Sequence, residues 1–279
     1  MDASGPVITL TTDFGTSDAY VAEMKGVILS INPTATIVDV SHEVRPHSIQ
    51  EGAFVLGSTY RYFPEGTVHV AVVDPGVGSK RRAIVLSTPS CRFVAPDNGI
   101  LSFVLGQLQP TRGNESRKPF ERHTFKLGGE IEAFVLDKPG FWLPEVSRTF
   151  HGRDIFAPVA AHLSLATKPE EMGTRVDSIE AFHIPRPERR ADGSVVGHVI
   201  HTDRFGNLVT SFRLDDVTDK ARIEVRGRVI EGLSPSYAEG PALLAIWGSA
   251  GYLEIAAKNS NAAEELGVAV GGEVRVWAS

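Results

Sequence analysis

The feature that most constrains the fold is a change of hydrophobic period along the chain. In residues 1–185, short β-branched runs alternate with segments of helical periodicity, which is typical of an α/β layer with a largely parallel sheet. The predicted strands are Val7–Phe14, Ala35–Val40, Val68–Asp74, Ala83–Ser87, Arg92–Ala95 and Ala133–Leu136. The predicted helices cover Tyr20–Ile31, Ser48–Tyr60, Asn98–Leu108 and Asp154–Leu165. Chemistry is expected where strands of such a sheet lead into helices.

A Pro-rich and charged stretch at residues 186–193 cannot contribute to a core and is predicted to be a linker. In residues 194–279 the apolar pattern has a period of two with turn residues between the runs, which indicates a smaller antiparallel β domain. The predicted strands there are Val195–His201, Leu208–Phe212, Ile223–Val225, Leu243–Ile246, Tyr252–Ala256 and Val274–Trp277.

Composition excludes several functional classes. A 279-residue chain with 42% hydrophobic and 22% charged residues is globular, and no window approaches the ~20 apolar residues of a membrane span. The net charge of -6 argues against binding to nucleic acid or anionic lipid. Since the single cysteine, Cys91, cannot form an internal disulfide and the N-terminus lacks a signal-peptide pattern, we expect a cytoplasmic location.

Three polar clusters follow predicted elements in residues 1–185. Asp13 ends the first strand, where its carboxylate suits a vicinal diol such as that of ribose, although a turn-stabilising role is equally compatible. Asp74 ends the most apolar strand, and the PGVG turn returns the chain so that Arg81 faces it. That pair could hold a water molecule or form a surface hairpin ion pair. His151 precedes a helix start, where histidine could transfer a proton or be satisfied locally.

Other chemistry has weak support. Pro96–Gly99 is predicted to be a strand-to-helix turn with a cap. Asp39 with His42, and His151 with Asp154, have metal-ligand spacing but lack further ligands, so no metal site is expected. There is no GxSxG elbow and no Walker lysine, and Cys91 is expected to be inert filling.

Two clusters lie in the predicted β domain. Asp203, Phe205 and Asn207 surround one glycine turn and could hold an ammonium group, stack a purine and read its edge. Ser249 breaks a strand-like run where backbone amides could bind a carboxylate. A simple hairpin turn explains each cluster equally well.

Taken in order, these clusters resemble one family, the SAM hydroxide adenosyltransferases (SAM hydrolases) and their fluorinase and chlorinase relatives, which displace methionine from S-adenosylmethionine (SAM) at the 5′ carbon. The motifs that carry the resemblance span nearly the whole chain: TTDFGTSDAYV, FPEGTVHVAVVDPGVG, APDNG, TFHGRDIFAP, DRFGNLVTS and GYLEIA. The resemblance implies an N-terminal α/β domain, a smaller β-barrel-like domain, and a homotrimer with active sites between subunits.

The resemblance also implies residue roles. Asp13 is similar to the carboxylate that binds the ribose diol, and Asp203 to the residue that takes the methionine ammonium. Phe205 and Asn207 are similar to residues that contact adenine, and Ser249 to one at the methionine carboxylate. Asp74, Arg81 and His151 resemble the Asp–Arg–His set of the hydroxide branch.

The halogenating branch differs at these positions. It carries a tyrosine in place of Asp74 and a Tyr–Ser pair in place of His151 and Gly152, and the fluorinases have a tryptophan where this chain has His47. An anionic Asp74 would repel halide, and Gly152 offers it no hydroxyl.

The resemblance therefore predicts hydrolysis of SAM to adenosine and methionine by an activated water. No cofactor or metal is expected, since SAM is the substrate and its sulfonium is already a good leaving group. Two alternatives stay open, a SAM-dependent halogenase and a non-catalytic protein that binds SAM or adenosine. Whether Asp74 or His151 accepts the proton is left open as well.

Overall fold

The computed structural model describes residues 5–110 and 117–277, which divide into two compact units. The first comprises the described residues up to 110 and Arg122–Phe182, and the second comprises residues 117–121 and everything described from His183 onward. The chain thus changes unit at residue 183, three residues before the predicted linker. Residues 117–121 also belong to the second unit, although the sequence pattern does not indicate this.

The first unit contains nine strands and five α-helices among the described residues. The strands are β1 (Val7–Thr12), β2 (Thr36–Ser41), β3 (Val68–Val72), β4 (Ala83–Ser87), β5 (Arg92–Pro96), β6 (Arg122–Lys126), β7 (Glu132–Leu136), β8 (Gly173–Val176) and β9 (Ser178–Phe182). The helices are α1 (Tyr20–Ile31), α2 (Ile49–Thr59), α3 (Ser102–Leu108), α4 (Ala157–Ser164) and α5 (Pro169–Met172).

Seven of these strands form one mixed sheet in the order β2-β1-β3-β5-β4-β7-β8, and β6 pairs with β9 separately. The pairs β1–β2, β1–β3 and β3–β5 are parallel, so the predicted parallel arrangement holds for this half of the sheet. The other half is antiparallel, because the PGVG turn returns the chain through β4 next to β5 without a crossover helix.

Helices cover both faces of the sheet. Helices α1 and α4 pack on the face formed by Val68, Val70 and Val72, where Met24 and Ile28 of α1 are fully buried. His69 points to the opposite face because side chains alternate along a strand, and there it contacts Tyr60 at the end of α2. Helix α1 ends at Ile31, as predicted from Pro33 two residues later.

The parallel half places two of the predicted polar clusters at one edge. Thr12 pairs with Val72 at the carboxyl ends of β1 and β3. Asp13 directly follows Thr12, and Asp74 follows Val72 after one intervening residue, so they leave neighbouring strands at nearly the same level. This is the edge where open α/β sheets commonly bind ligands.

The second unit is an antiparallel, nearly closed barrel-shaped sheet in the order β14-β13-β17-β11-β12-β16-β15, with β10 pairing to β11. Its elements are β10 (Glu188–Arg189), β11 (Val195–Thr202), β12 (Leu208–Thr210), β13 (Arg222–Val225), β14 (Arg228–Glu231), β15 (Leu243–Trp247), β16 (Leu253–Ala257), α6 (Ala262–Leu266) and β17 (Glu273–Trp277). The core of the barrel contains Val199, Phe212, Ile223, Leu253 and Val274.

All of the predicted strands of the β domain are present within two residues of their predicted ends. The short strand β10 lies inside the predicted linker and pairs with β11 through two residues. It was not predicted, because both of its residues are charged. No helix in the described part of the chain is long and apolar enough to cross a membrane.

Candidate active site

Asp74 and Arg81 form a nearly buried ion pair beyond the end of β3. Their side chains are 5% and 10% exposed. Arg81 Nε lies 3.0 and 2.9 Å from the two carboxylate oxygens of Asp74, and Arg81 Nη2 donates to Oδ2 as well. The PGVG turn produces this geometry: Gly78 has a φ of 75°, and the backbone of Arg81 is fixed by a bond from its N–H to Ser79 Oγ.

Arg81 also reaches His151, so the structure brings together all three residues of the predicted Asp–Arg–His set. Arg81 Nη2 lies 2.9 Å from His151 Nδ1. Because a guanidinium can only donate, Nδ1 must accept, which assigns the proton of the neutral imidazole to Nε2. The guanidinium stacks over Phe156 at 5.1 Å from the ring centroid.

The surroundings of His151 favour this neutral form. Burial lowers the pKa of His151 below its usual value, and the positive charge of Arg81 lowers it further. Asp74, Asp154 and the backbone of Ser147 act in the opposite direction without cancelling the effect on the pKa. The imidazole is therefore neutral at neutral pH, with its proton on Nε2.

His151 stands at the start of a π-helical turn, Gly152–Phe156, that runs into α4. Pro158 explains the departure from α-helical bonding, because it has no N–H to donate to the carbonyl of Asp154 four residues earlier. The N–H of Leu143 fills that position at 2.9 Å. Turns of this kind often occur at functional sites.

The APDNG motif packs beside Asp74 and Arg81. Its contacts support the structural role that was predicted for Pro96–Gly99. Asn98 Nδ2 donates to the carbonyl of Val73 at 2.9 Å, directly before Asp74. Asp97 is buried and pairs with Arg82, the neighbour of Arg81. Burial raises the pKa of Asp97, opposed by hydrogen bonds from the Glu180 backbone and from Arg82.

Asp13 is held by a contact that the sequence did not indicate. The backbone N–H of His47 donates to Asp13 Oδ2 at 2.8 Å. His47 has a φ of 67°, an uncommon conformation for a residue with a side chain, and its imidazole is exposed. Position 47 therefore contributes to the Asp13 turn through its backbone.

In the second unit, Asp203, Phe205 and Asn207 form one tight turn between β11 and β12. Asp203 Oδ1 accepts from the N–H groups of Phe205 and Asn207 at 2.9 and 2.8 Å, and Oδ2 accepts from Asn207 Nδ2 at 2.8 Å. These bonds are those expected of a simple hairpin turn. They leave Phe205 with 76% of its surface exposed, which a turn alone does not require.

Ser249 lies exposed in the turn between β15 and β16. Arg213 holds this turn by donating to the carbonyls of Ala250 and Gly251 at 3.1 and 3.3 Å, and it stacks on Tyr252. Nothing in these contacts assigns a ligand to Ser249.

Two side chains near Asp203 were missed by sequence reasoning. Tyr237 donates to Glu254 Oε2 at 3.1 Å. Burial raises the pKa of Glu254, and the charge of Asp203 raises it further. Burial and the two carboxylates also raise the pKa of Tyr237 to about 12. Glu254 lies in the GYLEIA motif. It alternates with apolar residues as any polar strand residue does, so the sequence did not single it out.

The residues with metal-ligand spacing are bonded to other protein groups or to each other. Asp39 lies 2.6 Å from Lys25 Nζ and 2.9 Å from His42 Nε2, and His42 Nδ1 lies 2.8 Å from Thr12 Oγ1. Within residues 5–110 and 117–277, no group of three His, Cys, Asp or Glu side chains is placed to hold a metal ion.

Comparison with known proteins decides the family. Residues 8–173 match the model of the SAM hydroxide adenosyltransferase N-terminal domain, and residues 197–275 match that of the C-terminal domain. The chain belongs to the SAM hydroxide adenosyltransferase family. It is 36% identical over 281 aligned residues to the (R)-S-adenosyl-L-methionine hydrolase of Salinispora arenicola, covering 99% of both chains.

More distant relatives include the halogenating branch. A fluorinase of Nocardia brasiliensis is 29% identical, covering 97% of this chain and 96% of the fluorinase. Among solved structures, an uncharacterized conserved protein from Thermotoga maritima has a TM-score of 0.81 and 33% identity, covering 97% of this chain and 99% of that one. Each of these similarities extends over nearly the full length of this chain.

The surroundings of Gly152 leave little room for a side chain. A Cβ atom at this position would lie 3.1 Å from the Phe150 ring and 3.3 Å from both Met24 Sδ and the Phe14 ring. These neighbours would have to move to admit a serine side chain.

Proposed function

We propose that this protein is an enzyme that hydrolyses S-adenosyl-L-methionine to adenosine and L-methionine. The observation that carries the proposal is the position of Arg81, which bonds Asp74 and His151 at once in a chain that belongs to the SAM hydroxide adenosyltransferase family. The (R)-S-adenosyl-L-methionine hydrolases at 36% identity support the same reaction.

The proposed reaction is an in-line displacement at the ribose 5′ carbon. The oxygen of a water molecule forms a bond to C5′, the C5′–S bond breaks, and its electron pair leaves with the sulfur of methionine. The sulfonium becomes a neutral thioether, so the leaving group needs neither a general acid nor a cofactor. The protein has to hold the water in line and stabilise the charge that it develops.

The tautomer of His151 bears on the choice of proton acceptor. With Nδ1 occupied by Arg81, the ring presents an N–H at Nε2 and cannot accept a proton there. We therefore assign Asp74 as the acceptor of the water proton and His151 as a hydrogen-bond donor that orients the water oxygen. Arg81 holds Asp74 in place through bonds to both carboxylate oxygens and supplies a positive charge for the developing hydroxide.

Substrate recognition is proposed to follow the resemblance. Asp13, fixed on one oxygen by the His47 amide, binds the ribose hydroxyls. Phe205 and Asn207 contact adenine, Asp203 takes the methionine ammonium, and Ser249 lies at the methionine carboxylate. The exposed ring of Phe205 supports a stacking role, since a free aromatic face of this size is costly in water.

Incubation of the purified protein with SAM, followed by chromatography of the products, tests the reaction. Adenosine and methionine in equal amounts are expected from wild type, with an at least ~10²-fold slower rate for Arg81→Ala. Wild-type protein that binds adenosine tightly but forms no product would favour the non-catalytic alternative.

The assembly and location are proposals of their own. We propose a homotrimer in which Asp13 and Asp203 of one active site come from different subunits, in the cytoplasm. Light scattering measures the mass. Mixing inactive Asp13→Ala and Asp203→Ala proteins should restore part of the activity if the site is shared and none if it is not.

A further inference from the structure

Asp154 is a fully buried carboxylate that the proposed reaction does not use. It lies three residues after His151 in the TFHGRDIFAP motif, and its side chain has 0% exposure. Arg153 Nε donates to Oδ1 at 2.7 Å, and the N–H of Ser147 donates to Oδ2 at 2.8 Å. A charge this deeply buried needs such partners to remain ionised.

These contacts attach Asp154 twice to the segment that leads into His151. Its carbonyl accepts from the N–H of Leu143, and its carboxylate accepts from the N–H of Ser147. Ser147 Oγ in turn accepts from the N–H of Phe150, the residue before His151. The direction in which His151 leaves this segment therefore depends on Asp154.

Asp154 also acts on the imidazole electrostatically. The charged groups that act on His151 are Arg81 and Asp74 from the turn after β3 and Asp154 from its own helix, and the backbone of Ser147 contributes as well. The negative charge of Asp154 raises the pKa of His151, against the effects of burial and of Arg81. Asp154 thus partly offsets the repulsion between Arg81 and a protonated ring.

We propose that Asp154 is a positioning residue that holds His151 in the orientation that places Nδ1 against Arg81. This role rests on the proposed function of His151. It acts through Ser147 and through charge, without contact between Asp154 and the substrate.

Glu23 provides a matched control. It pairs with the same guanidinium as Asp154, at 2.7 Å from Arg153 Nη1, but it is not among the groups that shift the pKa of His151 most. Glu23→Gln and Asp154→Asn each remove one carboxylate charge from Arg153. Only the second removes the charge that is bonded to Ser147.

The test measures the ring of His151 directly. In ¹⁵N NMR spectra, assigned by comparison with His151→Gln, wild type should show the Nε2–H tautomer. Asp154→Asn should lower the pKa of His151 and populate the other tautomer, and kcat should fall ~10- to 10²-fold with KM within twofold, as expected for a misplaced catalytic group. Glu23→Gln should match wild type in every readout.

Equal behaviour of Asp154→Asn and Glu23→Gln would overturn the proposal, as would an Nδ1–H tautomer in wild type. Should Asp154→Asn not fold, Arg153→Gln replaces it: loss of this partly exposed cation leaves the charge of Asp154 uncompensated and should raise the pKa of His151. An unchanged pKa in that variant would also overturn the role. Because the NMR readouts need no turnover, a protein without SAM hydrolysis would refute the proposed function while still testing Asp154.

Discussion

Arg81→Lys is the substitution that best isolates the contact between Arg81 and His151. A lysine keeps a positive charge for Asp74, but a single ammonium group cannot also reproduce the bond of Nη2 to His151 Nδ1. A hydrogen bond to or from a charged group contributes about 1.5–3 kcal/mol. At 1.36 kcal/mol for each tenfold change in rate, the loss predicts a fall in kcat of about 10- to 150-fold.

Arg82→Lys is the control, because Arg82 bonds one oxygen of the buried carboxylate of Asp97 through Nε and Nη2 and has no bond to His151. Thermal unfolding of both variants measures the cost of weakening a buried pair, and steady-state assays with SAM measure kcat and KM. We expect similar unfolding free energies for the two proteins and a large loss of kcat only for Arg81→Lys. A kcat for Arg81→Lys within threefold of that for Arg82→Lys would refute the reasoning.

Three further predictions concern burial, steric exclusion and substrate binding. Burial lowers the pKa of His69, which is 1% exposed, from 6.5 to about 4, so the folded state binds fewer protons than the unfolded state between these values. The stabilising contribution of His69 to the free energy of unfolding should be fully present above pH 6.5 and should decrease by about 3 kcal/mol as the pH falls toward 4. Urea unfolding at several pH values should show a smaller decrease of the free energy of unfolding for His69→Phe. Gly152→Ser should still give no chlorinated nucleoside with added chloride and should lose about 1–3 kcal/mol of stability through overpacking, measured by mass spectrometry and by unfolding; a halogenated product would contradict the steric argument. Phe205→Ala should change the unfolding free energy by less than ~0.5 kcal/mol yet raise KM for SAM about tenfold or more, and an unchanged KM would remove the stacking role.

The sequence predicted elements with strong local signals and missed those set by distant contacts. The helix at Tyr20–Ile31 follows from its apolar period and the proline after it, and the strand at Ala83–Ser87 from its β-branched run. Strands β6 and β9 were missed because they pair only with each other across 56 residues and carry mixed polar patterns. The largely parallel sheet was predicted, but periodicity does not encode which of its strands are antiparallel.

In the candidate site, too, the sequence indicated the residues that carry motifs but not the contacts between distant residues. The order of motifs located Asp74, Arg81 and His151, but only the fold shows that the guanidinium of Arg81 bonds His151, 70 positions away, as well as Asp74. The hydrogen bond from the backbone N–H of His47 to Asp13 could not be predicted from the sequence, since nearly every residue type can donate through its N–H. Asp154 was visible only as a possible metal-spacing partner of His151, because burial and bonding to Ser147 depend on how the π turn packs.

The most direct test of the account follows the oxygen atom that reaches the nucleoside. The protein is incubated with SAM in ¹⁸O water, first without halide and then with added chloride, and the nucleoside is analysed by mass spectrometry. The account predicts adenosine carrying one ¹⁸O at the 5′ position under both conditions. Unlabelled adenosine, a chlorinated nucleoside, or SAM left intact after long incubation would contradict it.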